Sequence, residues 1–240
     1  MNFKLMNKAV FFPETKTLAI GDLHLGYESM LRKQGIVFPF NQLEQSKKDV
    51  QNIIKILEKN KHKVKKIILL GDIKHQFGFD IGEKFEVRDF LNFLERYVDQ
   101  KNIILLKGNH EKFALDKRRY RNFYIQSDTA FIHGDKSFPK ILDKKIKTIV
   151  MGHLHPAVFL KDKKGIKKEK FKCFLTGKWK NKKVIILPSF FPLVEGSGLN
   201  EGFQNRENFS IIPKRSLQKF NVHILGKDKI YGFGELKDLG

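Results

Sequence analysis

Three observations predict a layered α/β domain. Short, continuously apolar segments at 67–70 and 103–106 have the composition of strands buried on both faces. Stretches with helical spacing of apolar residues alternate with them. Turn residues, notably Gly21, Gly71 and Gly108, stand where these strands end. The length of 240 residues suits one domain, or a domain with a small annex, and is ample for a hydrophobic core.

Taken in order, residues 3–12 and 16–20 read as strands joined by a turn at Pro13 and Glu14. Residues 41–60 place Leu43, Val50, Ile53, Ile54 and Leu57 at helical spacing. A buried strand at 66–70 ends at Gly71. A second helix over 83–98 gathers Phe85, Phe90, Phe93, Leu94 and Tyr97 on one face. Another strand ends at Gly108, and strands follow near 129–132 and 147–151. Beyond about residue 157 the pattern becomes mostly β, with segments 157–161, 168–176, 182–187, 221–225 and 230–233. No linker or repeat divides the chain, so 1–240 is expected to form a single domain.

Composition narrows the classes further. A hydrophobic fraction of 41% argues against disorder, and one cysteine, Cys173, excludes a disulfide framework or a Cys-rich zinc module. No apolar run approaches the ~18 residues of a membrane span, and Lys4 and Lys8 interrupt the N-terminal apolar residues, so a cytoplasmic protein without a membrane partner is expected. The formal net charge is +21. Such an excess suggests a polyanion, with nucleic acid the default. A lysine-rich background, common in some hyperthermophile proteins, accommodates it equally. The stretch 161–183 alone carries 11 Lys against Asp162 and Glu169, interleaved with Phe171, Phe174 and Trp179. It reads either as a strand-tracking surface, with Lys167, Lys168, Lys170 and Lys172 as substrate-binding candidates, or as a solvated hairpin with its aromatics in the core.

The chemistry lies in five short motifs, each at the end of an apolar strand. They are Gly21-Asp22-Leu23-His24, Gly71-Asp72, Gly108-Asn109-His110-Glu111, His133-Gly134 and Gly152-His153-Leu154-His155-Pro156. Asp, Asn and His are ligands that suit divalent metals such as Mn, Fe or Zn. Positions just past the C-terminal ends of strands are where open α/β sheets build their sites. Two such metals answer the central problem of phosphodiester hydrolysis, which is the repulsion between a nucleophile and an anionic ester. Each motif alone is weak, and their ordered combination carries the reading.

That ordered set resembles the calcineurin-like metallophosphoesterase superfamily over residues 17–156. The resemblance implies a four-layer α-β-β-α sandwich of two mixed sheets. It implies two divalent cations, Mn foremost, with Fe, Zn or Ni as alternatives. Asp22, His24 and His155 would hold one, Asn109, His133 and His153 the other, and Asp72 would bridge them. His110 would face the phosphate as acid or charge stabiliser, and in-line attack on phosphorus would come from hydroxide held between the cations. Glu111 stands where many members have Asp.

Two further features narrow the branch. His75 lies three residues after Asp72, a spacing similar to that of one nuclease branch, where such a His approaches the catalytic one; an ordinary loop residue is the alternative. The His-x-His-Pro-Ala run with residues 187–193 resembles small archaeal and bacterial ICC-like phosphoesterases, whose relatives are linked with DNA ligase and an Lhr-type helicase. The expected function is therefore a Mn-dependent DNA nuclease of repair acting on single-stranded or flexible ends, with DNA as the partner and an Lhr-type helicase or a second copy of the chain (a homodimer) as further candidates, the oligomeric state being open in the sequence. A phosphodiesterase or phosphatase acting on small nucleotides is the alternative, and an inactive nucleic-acid-binding scaffold a third. The loop 188–198 would wall the site, and His62 and His223 are expected to be structural.

Overall fold

A computed structural model describes residues 2–36, 40–78, 80–110, 118–162, 167–193, 195–201 and 210–239. Glu111 therefore lies outside the described residues. The first sheet runs in the order β1 (Lys4–Met6), β2 (Ala9–Phe12), β3 (Thr17–Ile20), β4 (Lys66–Leu69), β5 (Ile103–Leu106) and β6 (Tyr120–Arg121). Its first three strands form an antiparallel meander, and β3 through β6 are parallel. The segment expected as one strand over 3–12 is two, because Asn7 adopts a left-handed conformation (φ 49°) that turns the chain between β1 and β2.

The second sheet contains β7 (Phe123–Gln126), β8 (Thr129–Ile132), β9 (Thr148–Met151), β10 (Pro156–Lys161), β11 (Lys168–Trp179), β12 (Lys182–Ile186), β13 (Ser197–Gly198), β14 (Asn221–Leu225) and β15 (Ile230–Glu235). Strands β8, β9 and β12 are mutually parallel, and most other pairings are antiparallel, so both sheets are mixed.

The sheets face each other across Val10, Phe12, Ala19, Ile68, Leu70, Ile104 and Leu106 on one side and Phe131, Val150, Phe174, Ile185 and Leu187 on the other. The alternate residues Leu18, Ile67, Leu69, Ile103 and Leu105 pack against helices α2 (Gln42–Lys59) and α3 (Ile81–Glu95). Burial on both faces is why these strands read as unbroken apolar runs. Asn41 caps α2 by accepting from Glu44 N–H at 2.9 Å, and Asp80 caps α3 through Glu83 N–H at 3.0 Å. Ahead of them α1 (Tyr27–Lys33) follows the first motif. The face that α3 buries is Val87, Phe90, Leu91 and Leu94, whereas Phe85 is 52% exposed, one step off the stripe. The outer face of the second sheet is covered, among the described residues, by single helical turns at Pro139–Leu142, α4 (Lys214–Leu217) and Leu236–Leu239. The fourth layer is thin.

Candidate metal centre

Parallel strands deliver every motif to one end of the molecule. Asp22 follows β3, Asp72 follows β4 and Asn109 follows β5 in the first sheet; His133 follows β8 and His153 follows β9 in the second. The two sheet ends meet closely. A Cβ on Gly152 would stand 2.3 Å from Asp22 Oδ2, and one on Gly71 (φ 97°) would stand 2.8 Å from Gly108 N. Glycine is therefore required at both positions for the loops to approach. Five motif residues, Asp22, His24, Asp72, His153 and His155, have φ between 45° and 68°. Each non-glycine left-handed residue costs roughly 1–2 kcal/mol, so the surrounding packing must enforce this shape.

Backbone bonds do much of that enforcing. Asp22 N–H donates to Gly71 O at 3.3 Å and His24 N–H to Asp72 O at 2.9 Å. Both carboxylate oxygens of Asp22 lie 3.0 Å from His153 N–H. Gln42, the first residue of α2, donates from its amide to the carbonyls of Leu23 (3.0 Å) and His24 (2.8 Å). Ser189 Oγ and Phe191 N–H both donate to Asp22 O, at 2.9 and 3.2 Å, so part of the 188–198 loop does wall the site.

The side chains converge in three overlapping groups, Asp22–His24–His155, His24–Asp72–His110 and Asp72–His133–His153, with ligand atoms inside each group within 4.8 Å of one another. His24 Nε2 and His155 Nε2 are 3.2 Å apart. His153 Nδ1 and His133 Nε2 are 3.0 Å apart, and Asn109 Oδ1 is 3.0 Å from the same His133 nitrogen. His133 Nδ1 donates to Leu70 O at 3.0 Å, which directs its Nε2 toward Asp72, 3.4 Å away. Asp72 lies within 3.8 Å of His24, His110 and His133 and so sits between the two histidine sets.

Electrostatics matches this geometry. Burial pushes the His24 imidazole down to about 3, helped by His155, so it is neutral and free to ligate. Burial opposes charge on His133 too, but the Asp72 and Asp22 carboxylates outweigh it and push it up to about 9. Burial likewise works against ionised Asp22 and Asp72, yet the neighbouring histidines hold both carboxyls below the usual carboxylate range. Two ionised carboxylates, 0% and 3% exposed, need cationic neighbours. Among the described residues, His24 Nδ1 is buried with no hydrogen-bond partner. Buried carboxylate oxygens, imidazole nitrogens and an amide oxygen brought this close are the donor set for divalent cations, and a cation there would take the place of the His133 proton, so the residues fit such ions.

His110 and His75 occupy the rim. His110 N–H donates to Asp72 Oδ1 at 3.1 Å, and its Nδ1 hydrogen bonds to the carbonyl of His75. The His75 ring stands edge-on to His24 and Tyr27, with centroids 5.7 and 4.8 Å away, and burial pushes its imidazole down to about 4. The structure thus brings together Asp22, His24, Asp72, His75, Asn109, His110, His133, His153 and His155.

The four candidate lysines have partners of other kinds. Lys167 pairs with Glu169 at 2.5 Å, Lys168 pairs with Glu201, and Lys170 lies 3.6 Å from Glu195. Lys172 turns inward to the carbonyls of Ser189 and Phe191 and supports the wall loop, which corrects its expected place in an outward-facing strip. Phe174 is in the inter-sheet core, and Phe171 and Trp179 pack on the outer one. His62 and His223 are structural, bonded to Lys4 (2.8 Å) and Thr176 (2.8 Å).

Sequence reasoning missed Glu83 and Lys74, both 1% exposed in their side chains and 3.8 Å apart. Glu83 Oε1 accepts the N–H groups of His75 and Gln76, and Lys74 Nζ bonds the carbonyls of Gln76 and Gly78. An acidic residue three positions after the Asp80 cap was visible, but that pattern ordinarily signals only helix capping.

A buried Asp/Asn/His centre at the strand ends of a two-sheet sandwich defines a metal-dependent phosphoester hydrolase. Residues 15–223 match the calcineurin-like phosphoesterase family, and the chain belongs to it. Among solved structures the fold is similar to that of the Pseudomonas putida nuclease MPE, with a TM-score of 0.59 at 15% identity, covering 97% of this chain and 100% of that one. No curated protein sequence matches the chain. Among the described residues, no helix is long and apolar enough to cross a membrane.

Proposed function

We propose that this phosphoesterase is a Mn-dependent DNA nuclease of repair, acting on single-stranded or flexible ends. The observation that carries the reading is the chain of three overlapping donor groups, two of them sharing Asp72 and two sharing His24, with His110 at the rim. The similarity of fold to a protein described as a nuclease, and the net charge of +21, support a polymeric substrate.

Asp22, His24 and His155 would hold one cation and Asn109, His133 and His153 a second, with Asp72 shared. Bound there, divalent cations supply Lewis acidity toward the phosphoryl oxygens and a nucleophile at neutral pH. The hydrolysis adds water across one P–O bond. The chain's own part is to hold charge and deliver a proton. Because His110 Nδ1 donates to the His75 carbonyl, its Nε2 is the nitrogen that faces the site, 3.7 Å from Asp72 Oδ2. Protonated on both nitrogens, His110 would keep that bond and pass its Nε2 proton to the departing oxygen, leaving a neutral ring. Phe191 and Tyr27, with ring centroids 5.1 Å apart, close one side of the site around His24 and His75.

The test is a substrate panel with Mn: single-stranded, duplex and flapped DNA, RNA, nucleotides and bis(p-nitrophenyl) phosphate. Cleavage of single-stranded DNA, lost in Asp72→Asn, supports the proposal. Rapid turnover of nucleotides with DNA left intact overturns it in favour of a small-nucleotide enzyme. Inertness toward every ester by the metal-loaded protein would indicate a scaffold.

A further inference from the structure

The lysine-rich hairpin is the obvious polyanion surface in the sequence, but three of its four candidate lysines are paired within the fold, Lys167 with Glu169, Lys168 with Glu201 and Lys170 with Glu195. The pattern inverts at the far edge of the first sheet. The chain holds 39 Lys and 8 Arg, and three of the eight are Arg118, Arg119 and Arg121. Arg118 is paired with Glu95 at 2.7 Å. Arg119 and Arg121 are exposed, and among the described residues no carboxylate pairs with either.

Their placement is specific. Tyr120, between them, packs against the helix-side core, so the alternation of an extended chain turns both guanidinium groups to the other face. There Arg121 lies 5.4 Å from the ring of Tyr124 on β7, the edge strand of the second sheet. Lys66 bonds the Tyr124 hydroxyl at 2.6 Å. The two sheet edges thus meet in a cationic seam.

Lys66 opens β4 at one end of this seam, and Arg121 and Lys107 mark the other, which is the end of the metal centre. Strand β6 is parallel to β5, with Arg121 opposite Leu106, and the exposed Lys107 donates its N–H to Arg121 O at 2.8 Å. Asn109 and His110 follow directly. Arg121 is therefore at the same end of the sheet as the ligand loops, one strand spacing (~4.8 Å) beside the strand that delivers His110. Arginine also suits the task, since its planar fork matches phosphate oxygens bidentately where an ammonium is a point charge.

We propose that Arg119, Arg121 and Lys107 form a binding track for the phosphodiester backbone of a nucleic-acid strand entering the metal centre, and that this edge, rather than the lysine hairpin, guides the polymer. The proposal rests on the nuclease reading above.

The test is binding of a fluorescein-labelled single-stranded oligonucleotide, followed by anisotropy across a salt titration, for the wild type, Arg119→Gln/Arg121→Gln and Lys167→Gln/Lys168→Gln. Each phosphate contact contributes about 0.7 to the log–log salt slope for a single strand, so losing two contacts lowers it by about 1.4. The arginine pair is expected to show that drop, with weaker binding to every sequence, and the lysine pair a smaller one. Unchanged slope and affinity in the arginine pair, or a larger loss in the lysine pair, overturns the track while a DNA-cleaving wild type keeps the nuclease reading. A wild type that hydrolyses bis(p-nitrophenyl) phosphate but neither binds nor cuts DNA overturns both.

Discussion

Glu83 Oε1 accepts the backbone N–H of His75 at 2.7 Å, and the carbonyl of that same His75 accepts the Nδ1 hydrogen of His110. A carboxylate on α3 thus fixes the peptide that fixes the rim histidine. Truncation in Glu83→Ala is expected to lower kcat by roughly ten- to a hundredfold, the effect of a displacement of about 1 Å in a reacting group, with KM and metal content little changed. It also strips a buried partner from Lys74. Breaking a buried pair costs about 3–5 kcal/mol, so the melting temperature should fall on the order of 10 °C. Glu83→Gln keeps an acceptor oxygen and should recover most of kcat. Steady-state kinetics with metal analysis checks both variants.

His110→Ala should retain its metal and lose turnover by about 10²–10⁴-fold, the usual contribution of a positioned acid. Kinetics on bis(p-nitrophenyl) phosphate with elemental analysis separates the two quantities. Metal loss in this variant would contradict the rim position, because it would make His110 a ligand.

Removal of divalent cations should destabilise the fold, since Asp22 and Asp72 remain buried as anions without them. At a cation concentration of about 100 times Kd, binding contributes about 2.7 kcal/mol, or roughly 5–10 °C in a domain of this size. Scanning calorimetry with and without chelator measures it. Asp72→Asn, which keeps the shape but removes the shared charge, should abolish most of that response.

Lys172 supplies a pH dependence. Burial pushes its amine down to about 7, and Lys8 nearby acts in the same direction. Unfolded, the amine titrates near the ordinary lysine value of about 10.4. Between those values the unfolded chain binds the extra proton, so this group's contribution to stability rises with pH over that range. Below about 7 both states are protonated and its destabilising effect is complete. A neutral amine still carries two N–H donors for Ser189 O and Phe191 O. Lys172→Met should therefore flatten the rise in melting temperature between pH 7 and 10, measured against the wild type.

Much of the centre was legible in the linear chain. Each motif sits within a few residues of an apolar strand end, and parallel strands carry such ends to one side whatever the rest of the fold does. Asp22, His24, Asp72, Asn109, His110, His133, His153 and His155 were all found that way. The two main helices were legible for the same reason, although Phe85 was placed on the wrong face, because one aromatic out of phase looks like part of a broad stripe.

By itself, then, the sequence determined the family, the chemistry and the end of the sheets where it resides, since these depend on local order and strand register. Which charges are free was decided only by tertiary structure. Lys168 finds Glu201 across 33 positions, Lys172 finds the carbonyls of Ser189 and Phe191, and Glu83 finds the peptide of His75. Arg119 and Arg121 are left facing solvent beside Lys107. Net charge is a sum over residues, whereas pairing depends on distance, and the folded chain alone sets the distances.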